Sequence, residues 1–352
     1  MFATLASAAC LPLLGRLVDF VPPHRMILLV TPVLAGASVL AGLATSVALL
    51  VAAIFMLRLF GQGMMTHIAL TTTGRWFVAE RGRAISLVVL GNQGGEAGIP
   101  LAFAAVSIAF GYQVGWVSSA VFLLVVGLPF AFYCYRKPRV PHGQVSKEKS
   151  TTPAVRNWSR AEVLRDPVFW VLLTGVLAPA FIGTTIFYHQ NYMTALNDWP
   201  PHLFATSLMV LAVTVVGFAL LTGAVIDRLS AKRILPLFLL PLAGACFVLA
   251  SRGPAFSLFI VMIFVGISYG IAKTLFGSLW PEIYGLQHLG AIRSVTVSAA
   301  VLATAAGPGL TGTLIDIGVD LPAQMNFLGL YCLLAAVAML LASRVLQRRQ
   351  GS

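Results

Sequence analysis

Residues 1–110 and 209–318 of this chain carry the same polar landmarks at the same spacing, offset by 208 positions without a gap. The shared residues are mostly Gly, Pro and charged types, which stand out in otherwise apolar sequence. The matched pairs are Gly15 and Gly223, Asp19 and Asp227, Arg25 and Arg233, Gly82 and Gly290, Ser86 and Ser294, and Pro100 and Pro308. A repeat that runs in the same direction in both copies predicts two homologous structural units.

The repeat also predicts unequal numbers of helices in the two units. The second copy is preceded by an apolar segment, Asp166 to Gln190, and the equivalent of this segment before the first copy would lie upstream of Met1. We therefore expect the first unit to have one helix fewer than the second, so that a twelve-helix plan is represented by eleven.

Composition places the chain in a membrane. It is 59% hydrophobic and 10% charged, whereas soluble proteins carry about 25% charged residues. Apolar runs of about 20 residues, the length of a bilayer-spanning helix, recur along the whole chain. The eleven predicted spans are about 1–19, 26–46, 48–72, 84–109, 112–135, 167–189, 203–226, 233–251, 255–279, 291–316 and 324–346.

The net charge of +12 is distributed in a way that argues against a nucleic-acid partner. Of the 23 Lys and Arg residues, 20 lie in or beside alternate connections, and the opposite connections hold only Arg252. Basic residues concentrate in cytoplasmic loops of membrane proteins. The basic connections and the C-terminus are therefore predicted to be cytoplasmic, and the lipid bilayer is the expected environment.

These patterns predict an all-α membrane protein with four segments along the chain. They are an N-terminal bundle at 1–135, a linker at 136–166, a C-terminal six-helix bundle at 167–346 and a tail at 347–352. The linker carries eight Lys and Arg and three prolines, and its alternative role is that of a regulatory or partner site. A parallel repeat of helical bundles in a membrane chain is typical of transporters.

Two short loops at equivalent positions carry the most specific motif. In each, a Gly precedes an Asp by four residues, and basic residues follow. The residues are Gly15, Asp19 and Arg25 in the first loop and Gly223, Asp227, Arg228, Lys232 and Arg233 in the second. The Gly allows a neighbouring helix to approach closely, and the Asp can pair with basic residues or with a helix N-terminus. The alternative is a pair of ordinary helix caps.

These loops resemble the signature loop of the major facilitator superfamily, although in the first copy Phe20 replaces a basic residue and His24 takes one place of the basic pair. In that family the loop holds the two bundles together in the outward-facing state. The resemblance implies a two-bundle fold, binding of a small molecule near the middle of the membrane, and alternating access.

Three charges fall inside apolar spans, where charge is costly and commonly functional. Arg58 with Gly61 and Gly63 resembles the helix-four motif of the superfamily, which implies a structural or proton-coupling role; lipid-facing snorkelling is its alternative. Glu96 lies in a Gly-rich segment ending at Pro100 that resembles the helix-five motif. It is interpreted as a buried proton carrier, as half of an internal ion pair, or as a merely tolerated residue.

Lys273 is the predicted contact for a substrate anion, with snorkelling to the inner surface as the alternative. Further polar candidates are Asn92 and Gln93, one turn from Glu96, and Tyr188, His189 and Gln190 at the end of the span 167–189. His67 is interpreted as a packed, hydrogen-bonded residue or as a proton relay.

The segments Arg75–Trp76–Phe77 and Asp166–Pro167 resemble bacterial monocarboxylate porters and oxalate/formate antiporters within the superfamily. This resemblance implies a proton-coupled secondary transporter of a small organic anion in a bacterial inner membrane; symport is the favoured hypothesis, and antiport remains the alternative. Rival interpretations are a non-transporting remnant or receptor, and a transporter of an unrelated solute. A membrane enzyme is disfavoured because no catalytic motif occurs, and no phosphate-binding loop, metal-ligand spacing or cofactor motif is found.

Overall fold

The computed structural model describes residues 2–78, 80–137, 156–200 and 202–351, and every regular element in these ranges is helical. A 3₁₀ turn, Gly15–Asp19, follows the first helix. The helices are α1 Phe2–Leu14, α2 Pro23–Gly42, α3 Val47–Trp76, α4 Arg81–Phe110, α5 Tyr112–Tyr135, α6 Arg160–Arg165, α7 Pro167–Tyr188, α8 Gln190–Leu196, α9 Leu203–Leu229, α10 Ala231–Ala250, α11 Ser257–Tyr284, α12 Leu289–Asp316 and α13 Leu321–Gly351. The predicted all-α membrane fold is confirmed.

Within the described ranges, nine helices are long and apolar enough to cross a membrane: α2, α3, α5, α7, α9, α10, α11, α12 and α13. The predicted spans 1–19 and 84–109 correspond to α1 with its 3₁₀ turn and to α4. Eleven crossings therefore remain a prediction. Most of the basic linker, residues 138–155, lies outside the described residues.

Local sequence explains several helix boundaries. The Ser46 hydroxyl caps α3 by accepting the N–H of Leu49 at 3.3 Å. Asp166 caps α7 by accepting the N–H of Val168 at 3.1 Å, and Pro167 occupies the first helical position, where no N–H is needed.

The helix α13 continues to Gly351, so it includes most of the predicted tail at 347–352, whose cytoplasmic location remains a prediction. The bidentate pair between Arg349 and the buried Asp166, at 2.8 and 3.0 Å, holds this last turn. Arg348 and Arg349 also favour the C-terminal end of a helix, where the carbonyl dipoles are negative.

The chain divides into two compact units, each built from several separate segments. Unit 1 contains Met1–Ala79, Gly91–Arg160 and Tyr284–Val301, and unit 2 contains Glu80–Leu90, Ala161–Ile283 and Leu302–Ser352. Thus the first turns of α4 belong with unit 2, and the first turns of α12 belong with unit 1. The predicted bundles at 1–135 and 167–346 remain a prediction.

The core of unit 1 lies where α1, α2 and α3 meet, around Leu11, Ile27, Val30, Met64 and Ile68. The core of unit 2 is built on the pairing of α10 with α13. Gly329 makes this pairing close, since a Cβ there would lie 2.7 Å from the ring of Phe247. Small residues at such crossings allow helices to approach in a membrane.

Candidate functional site

The first polar crossing joins the end of α1 to the start of α12, within unit 1. The Asp19 carboxylate accepts the backbone N–H of Gly290 through Oδ1 and of Ala291 through Oδ2, both at 2.7 Å. These N–H groups belong to the first turn of a helix, which has no partner within the helix for them. The Arg75 guanidinium pairs with the same carboxylate, so Asp19 is held by two backbone donors and one cation.

The second crossing joins α9 to the start of α4, within unit 2. Asp227 Oδ1 accepts the N–H of Gly82 at 2.7 Å, and its Oδ2 accepts the N–H of Arg83 at 3.1 Å. Asp227 and Gly82 are the repeat equivalents of Asp19 and Gly290. Each copy of the repeat therefore places an Asp on the N-terminus of a helix that belongs to the other copy.

Glycines bring the backbones together at both crossings. A Cβ at Gly15 would lie 2.5 Å from Cβ of Ser294, and a Cβ at Gly223 would lie 2.7 Å from the hydroxyl of Ser86. Ser294 and Ser86 are again repeat equivalents. A side chain larger than hydrogen at either glycine requires the helices to move apart, because contacts under 3 Å are sterically forbidden.

The carbonyls of α1 form a second set of contacts at the first crossing. Pro12 has no N–H to give to the carbonyl four residues earlier, that of Ala8, and the hydroxyl of Ser298 on α12 donates to it instead. His67 is fully buried, and its Nε2 lies 3.1 Å from the carbonyl oxygen of Gly15. His67 is thus packed and hydrogen-bonded, one of its two predicted interpretations.

Not all of the basic residues in the two loops form ion pairs at the crossings. Arg25, Arg228 and Arg233 are exposed, and none of them makes an ion pair within the described part of the chain. The cation on Asp19 is Arg75, which sequence reasoning placed in a family motif without assigning it this role. Because Arg25 and Arg75 both lie in or beside basic connections of the sequence, spacing gave no means of choosing between them.

Lys232 is the buried member of the second loop. Its ammonium lies 3.6 Å from Oε1 of Glu282. Glu282 also accepts the hydroxyl of Ser230 at 2.7 Å and the N–H of Ala231 at 3.0 Å. Ser230 has φ +81°, a strained value for a residue with a side chain, and the Glu282 contacts stabilise this turn between α9 and α10.

Arg58 lies in a π-helical stretch of α3, Leu57–Met65. Its guanidinium donates to Oε1 of Gln62 at 2.5 Å, and both side chains are exposed. The wider π turn alters which residues share a face, and such stretches are frequent at functional sites. In the second copy the equivalent residues, 265–273, form regular α-helix.

Glu96 lies at the middle of α4, 15 residues after Arg81 and 14 before Phe110. The expectation that it is buried is wrong, since its side chain is exposed. Its Oε1 accepts the Asn92 amide N–H at 2.6 Å. Gln93, the residue after Asn92, is half-buried. The Gly-rich sequence around Glu96 offers few large side chains to cover it, which explains the exposure.

Lys273 lies deeper in its helix than the sequence predicted. Because α11 runs to Tyr284 rather than to about residue 279, Lys273 has 16 residues before it and 11 after it. At 1.5 Å per residue it lies about 16 Å from the nearer helix end. Its side chain is half-buried. This depth lengthens the path that snorkelling to the inner surface would have to cover, and the anion contact remains a prediction.

Tyr188, His189 and Gln190 lie at the junction of α7 and α8. Tyr188 is exposed and its ring meets that of His189 edge-on, with 5.2 Å between centroids. His189 is buried, and its Nδ1 lies 3.1 Å from the carbonyl oxygen of Thr185. Gln190 is half-buried. Of the three, Tyr188 is the residue whose side chain is most accessible.

The comparison with known proteins agrees with this geometry. The profile of the Major Facilitator Superfamily matches residues 1–308. The chain belongs to the major facilitator superfamily. No curated protein matches it in sequence. Membership accounts for the multi-pass helical fold, and members of this superfamily are transporters of small molecules.

Solved structures share the fold at low sequence identity. The human organic anion transporter TETRAN has a TM-score of 0.73 and 15% identity, with 96% of this chain and 82% of that chain covered. An E. coli fucose:proton symporter has a TM-score of 0.71 and 11% identity, with 98% and 91% covered. A bacterial homologue of the iron transporter ferroportin, in an outward-facing state, has a TM-score of 0.72 and 15% identity, with 97% and 88% covered.

Proposed function

We propose that this major facilitator protein is a secondary active transporter that moves a small organic anion across the membrane by alternating access. The observation that carries the proposal is the pair of equivalent Asp contacts, Asp19 on Gly290 and Asp227 on Gly82. Each contact ties one copy of the repeat to a helix N-terminus of the other copy. Such contacts are suited to closing one side of a transporter and to being broken when that side opens.

The closed side is proposed to be cytoplasmic. The loops that carry Asp19 and Asp227 belong to the basic connections, and basic connections face the cytoplasm. Exposed arginines at these loops, Arg25, Arg228 and Arg233, suit the anionic inner leaflet. The proposal therefore assigns the two crossings to the inner surface of a cell membrane.

The substrate is proposed to be an anion because the deep polar residues include two cations, Arg58 and Lys273. Arg58 is exposed with Gln62 as a hydrogen-bond partner, and Lys273 is half-buried far from either end of α11. Glu96 supplies the group for proton coupling. An anion accompanied by a proton crosses without net charge, so these residue types fit symport with a monocarboxylate-like substrate.

The experiment that tests the proposal is uptake in proteoliposomes. Purified protein is reconstituted, and the entry of labelled formate, lactate, acetate and oxalate is followed with and without an imposed pH gradient. Uptake of one of these anions, accelerated by an inward proton gradient, is the expected result. Failure of every small anion to enter above the level of protein-free liposomes would overturn the proposed function and favour a non-transporting remnant or receptor.

A further inference from the structure

The last residues before α6 are docked on the loop between α11 and α12, within unit 1. The backbone N–H of Trp158 donates to the carbonyl of Tyr284 at 3.0 Å, and the two rings meet edge-on with 5.5 Å between centroids. Arg156 stacks over the Trp158 ring at 5.1 Å. These contacts fix the segment 156–160, which is called the strap below, to a defined place on the protein.

Asn157 makes the most specific contact of the strap. Its side-chain oxygen accepts the backbone N–H of Leu286 at 3.0 Å and that of Gln287 at 3.2 Å. This single amide oxygen therefore accepts two backbone N–H groups of the loop, which are not hydrogen-bonded within a helix. Gly285, just before them, has φ +84°, and a Cβ at this position would lie 2.4 Å from the Asn157 oxygen. The loop is therefore shaped for close approach of the strap.

The same loop touches the Asp19 crossing. The Leu286 carbonyl, whose N–H is held by Asn157, accepts Nε–H of Arg75 at 3.2 Å. Arg75 in turn pairs with Asp19, and Asp19 binds the N–H of Gly290, four residues beyond Leu286. A short, continuous path of hydrogen bonds therefore runs from the strap to the crossing.

The other end of the strap reaches the opposite partner of the crossing. The Arg160 guanidinium donates to the carbonyl of Pro12 on α1 at 3.0 Å. The strap therefore contacts both elements that meet at Asp19: α1, through Pro12, and the loop that leads into α12, through Asn157 and Trp158.

We propose that the strap, Arg156–Arg160, is a built-in brake that holds the Asp19 crossing closed and sets how readily it opens. The proposal rests on the proposed function in one respect only, namely that this crossing opens during transport. Because opening separates α1 from the start of α12, a segment bonded to both must release at least one of them. Loss of its bonds lowers the free energy of the open state relative to the closed state.

The test measures opening directly rather than transport. Ser294 is fully buried on α12, and its Cβ faces Gly15 of the 3₁₀ turn that follows α1. A Ser294→Cys reporter, in protein whose four native cysteines are replaced by alanine, reacts with a maleimide only when the crossing opens. The reaction rate is measured in detergent for two variants at one position: Asn157→Leu, which removes the acceptor oxygen, and Asn157→Asp, which keeps it.

Asn157→Leu is expected to raise the labelling rate at position 294 by about tenfold, as the loss of two backbone hydrogen bonds to one acceptor implies. Asn157→Asp is expected to label at the parent rate. Arg160→Gln, which removes the contact with Pro12, is also expected to raise the labelling rate at position 294. An unchanged rate in both Asn157→Leu and Arg160→Gln would overturn the brake.

A control separates local opening from loss of the fold. Ser207 is fully buried on α9 in unit 2, and a Ser207→Cys reporter is expected to stay unreactive in every strap variant. Equal acceleration of labelling at positions 207 and 294 would show general loosening of the fold and would contradict the proposal.

Uptake of anions is measured separately. If Asn157→Leu speeds labelling at 294 while no anion is taken up by any variant, the brake stands and the proposed function fails.

Discussion

The carboxylate of Asp19 accepts the backbone N–H of Gly290 at 2.7 Å across 271 residues of sequence. Asp227 accepts the N–H of Gly82 at the same distance, so an internal repeat visible in the sequence reappears as two equivalent contacts. The equivalence is incomplete, because Ile283 stands at the position that corresponds to Arg75. The Asp19 contact therefore includes a directly paired cation, whereas Asp227 binds two helix N–H groups and has the charge of Arg81 nearby.

This difference predicts unequal costs for the same substitution. Asp19→Asn leaves the Arg75 guanidinium without its carboxylate. Because each Asp19 oxygen accepts a different N–H group, the amide NH₂ that replaces one oxygen would face a donor. We expect Asp19→Asn to lower the stability of the protein in detergent by about 2–3 kcal/mol, and Asp227→Asn by about 1 kcal/mol. The measurement is the midpoint of thermal unfolding. Asp316→Asn, at an exposed position, serves as the control and is expected to leave the midpoint unchanged.

A second prediction concerns close packing at the crossings. A Cβ at Gly82 would lie 2.3 Å from the carbonyl oxygen of Gly223, a rigid backbone atom that cannot move aside alone. Gly82→Ala is expected to destabilise the protein by about 1–3 kcal/mol, as overpacking of a tight contact does. Gly217→Ala is the matched control, since nothing lies within 4 Å of a Cβ at that helical position. A smaller loss in Gly82→Ala than in Gly217→Ala would refute the argument.

Sequence reasoning identified the fold class and the superfamily, and both are confirmed. Long apolar runs and a gapless repeat are properties of the chain itself, so they can be recognised without contacts. The partners of Asp19 cannot be recognised from the sequence in this way. Gly290 and Arg75 are found only once the helices are placed, because no spacing rule tells which helix N-terminus, or which of several loop cations, will meet a given Asp.

The exposure of Glu96 was missed for a related reason. A helix rich in Gly and Ala has no pronounced apolar stripe, so periodicity cannot assign the face on which a single carboxylate lies. The depth of Lys273 was underestimated because α11 continues past Pro281, a residue that commonly marks the end of a helix. The sequence indicated a regulatory role only for the linker as a whole. The partners of the strap could not be predicted, because most of its contacts with the distant loop are to backbone atoms.

A third prediction tests the anion contact proposed for Lys273. Lys273→Gln removes the charge while retaining a polar side chain of similar length, and it is expected to raise the KM for the transported anion by about tenfold or more. Lys273→Arg keeps the charge and is expected to retain measurable affinity. Arg252→Gln is the control, because Arg252 is exposed at the connection between α10 and α11. Equal KM values for the parent and Lys273→Gln would remove Lys273 from the substrate site.

The last prediction concerns coupling through Glu96. The carboxylate lies about 20 Å from each end of α4, is exposed, and accepts a hydrogen bond from the Asn92 amide. An accessible carboxylate at this depth can take up a proton on one side and release it on the other. Glu96→Gln stays neutral and keeps an acceptor for Asn92, so it mimics the protonated form without being able to titrate.

In proteoliposomes, Glu96→Gln is therefore expected to exchange labelled for unlabelled anion at close to the parent rate, while net uptake no longer responds to an imposed pH gradient. Asn92→Ala, which removes the neighbouring donor but leaves the carboxylate, is expected to keep the response to the gradient. Measuring both exchange and gradient-driven uptake on the same preparations shows whether Glu96 is needed for coupling to the proton gradient. Retention of full pH-driven accumulation by Glu96→Gln would show that the coupling proton is carried elsewhere, whereas loss of folded protein would assign Glu96 a structural role.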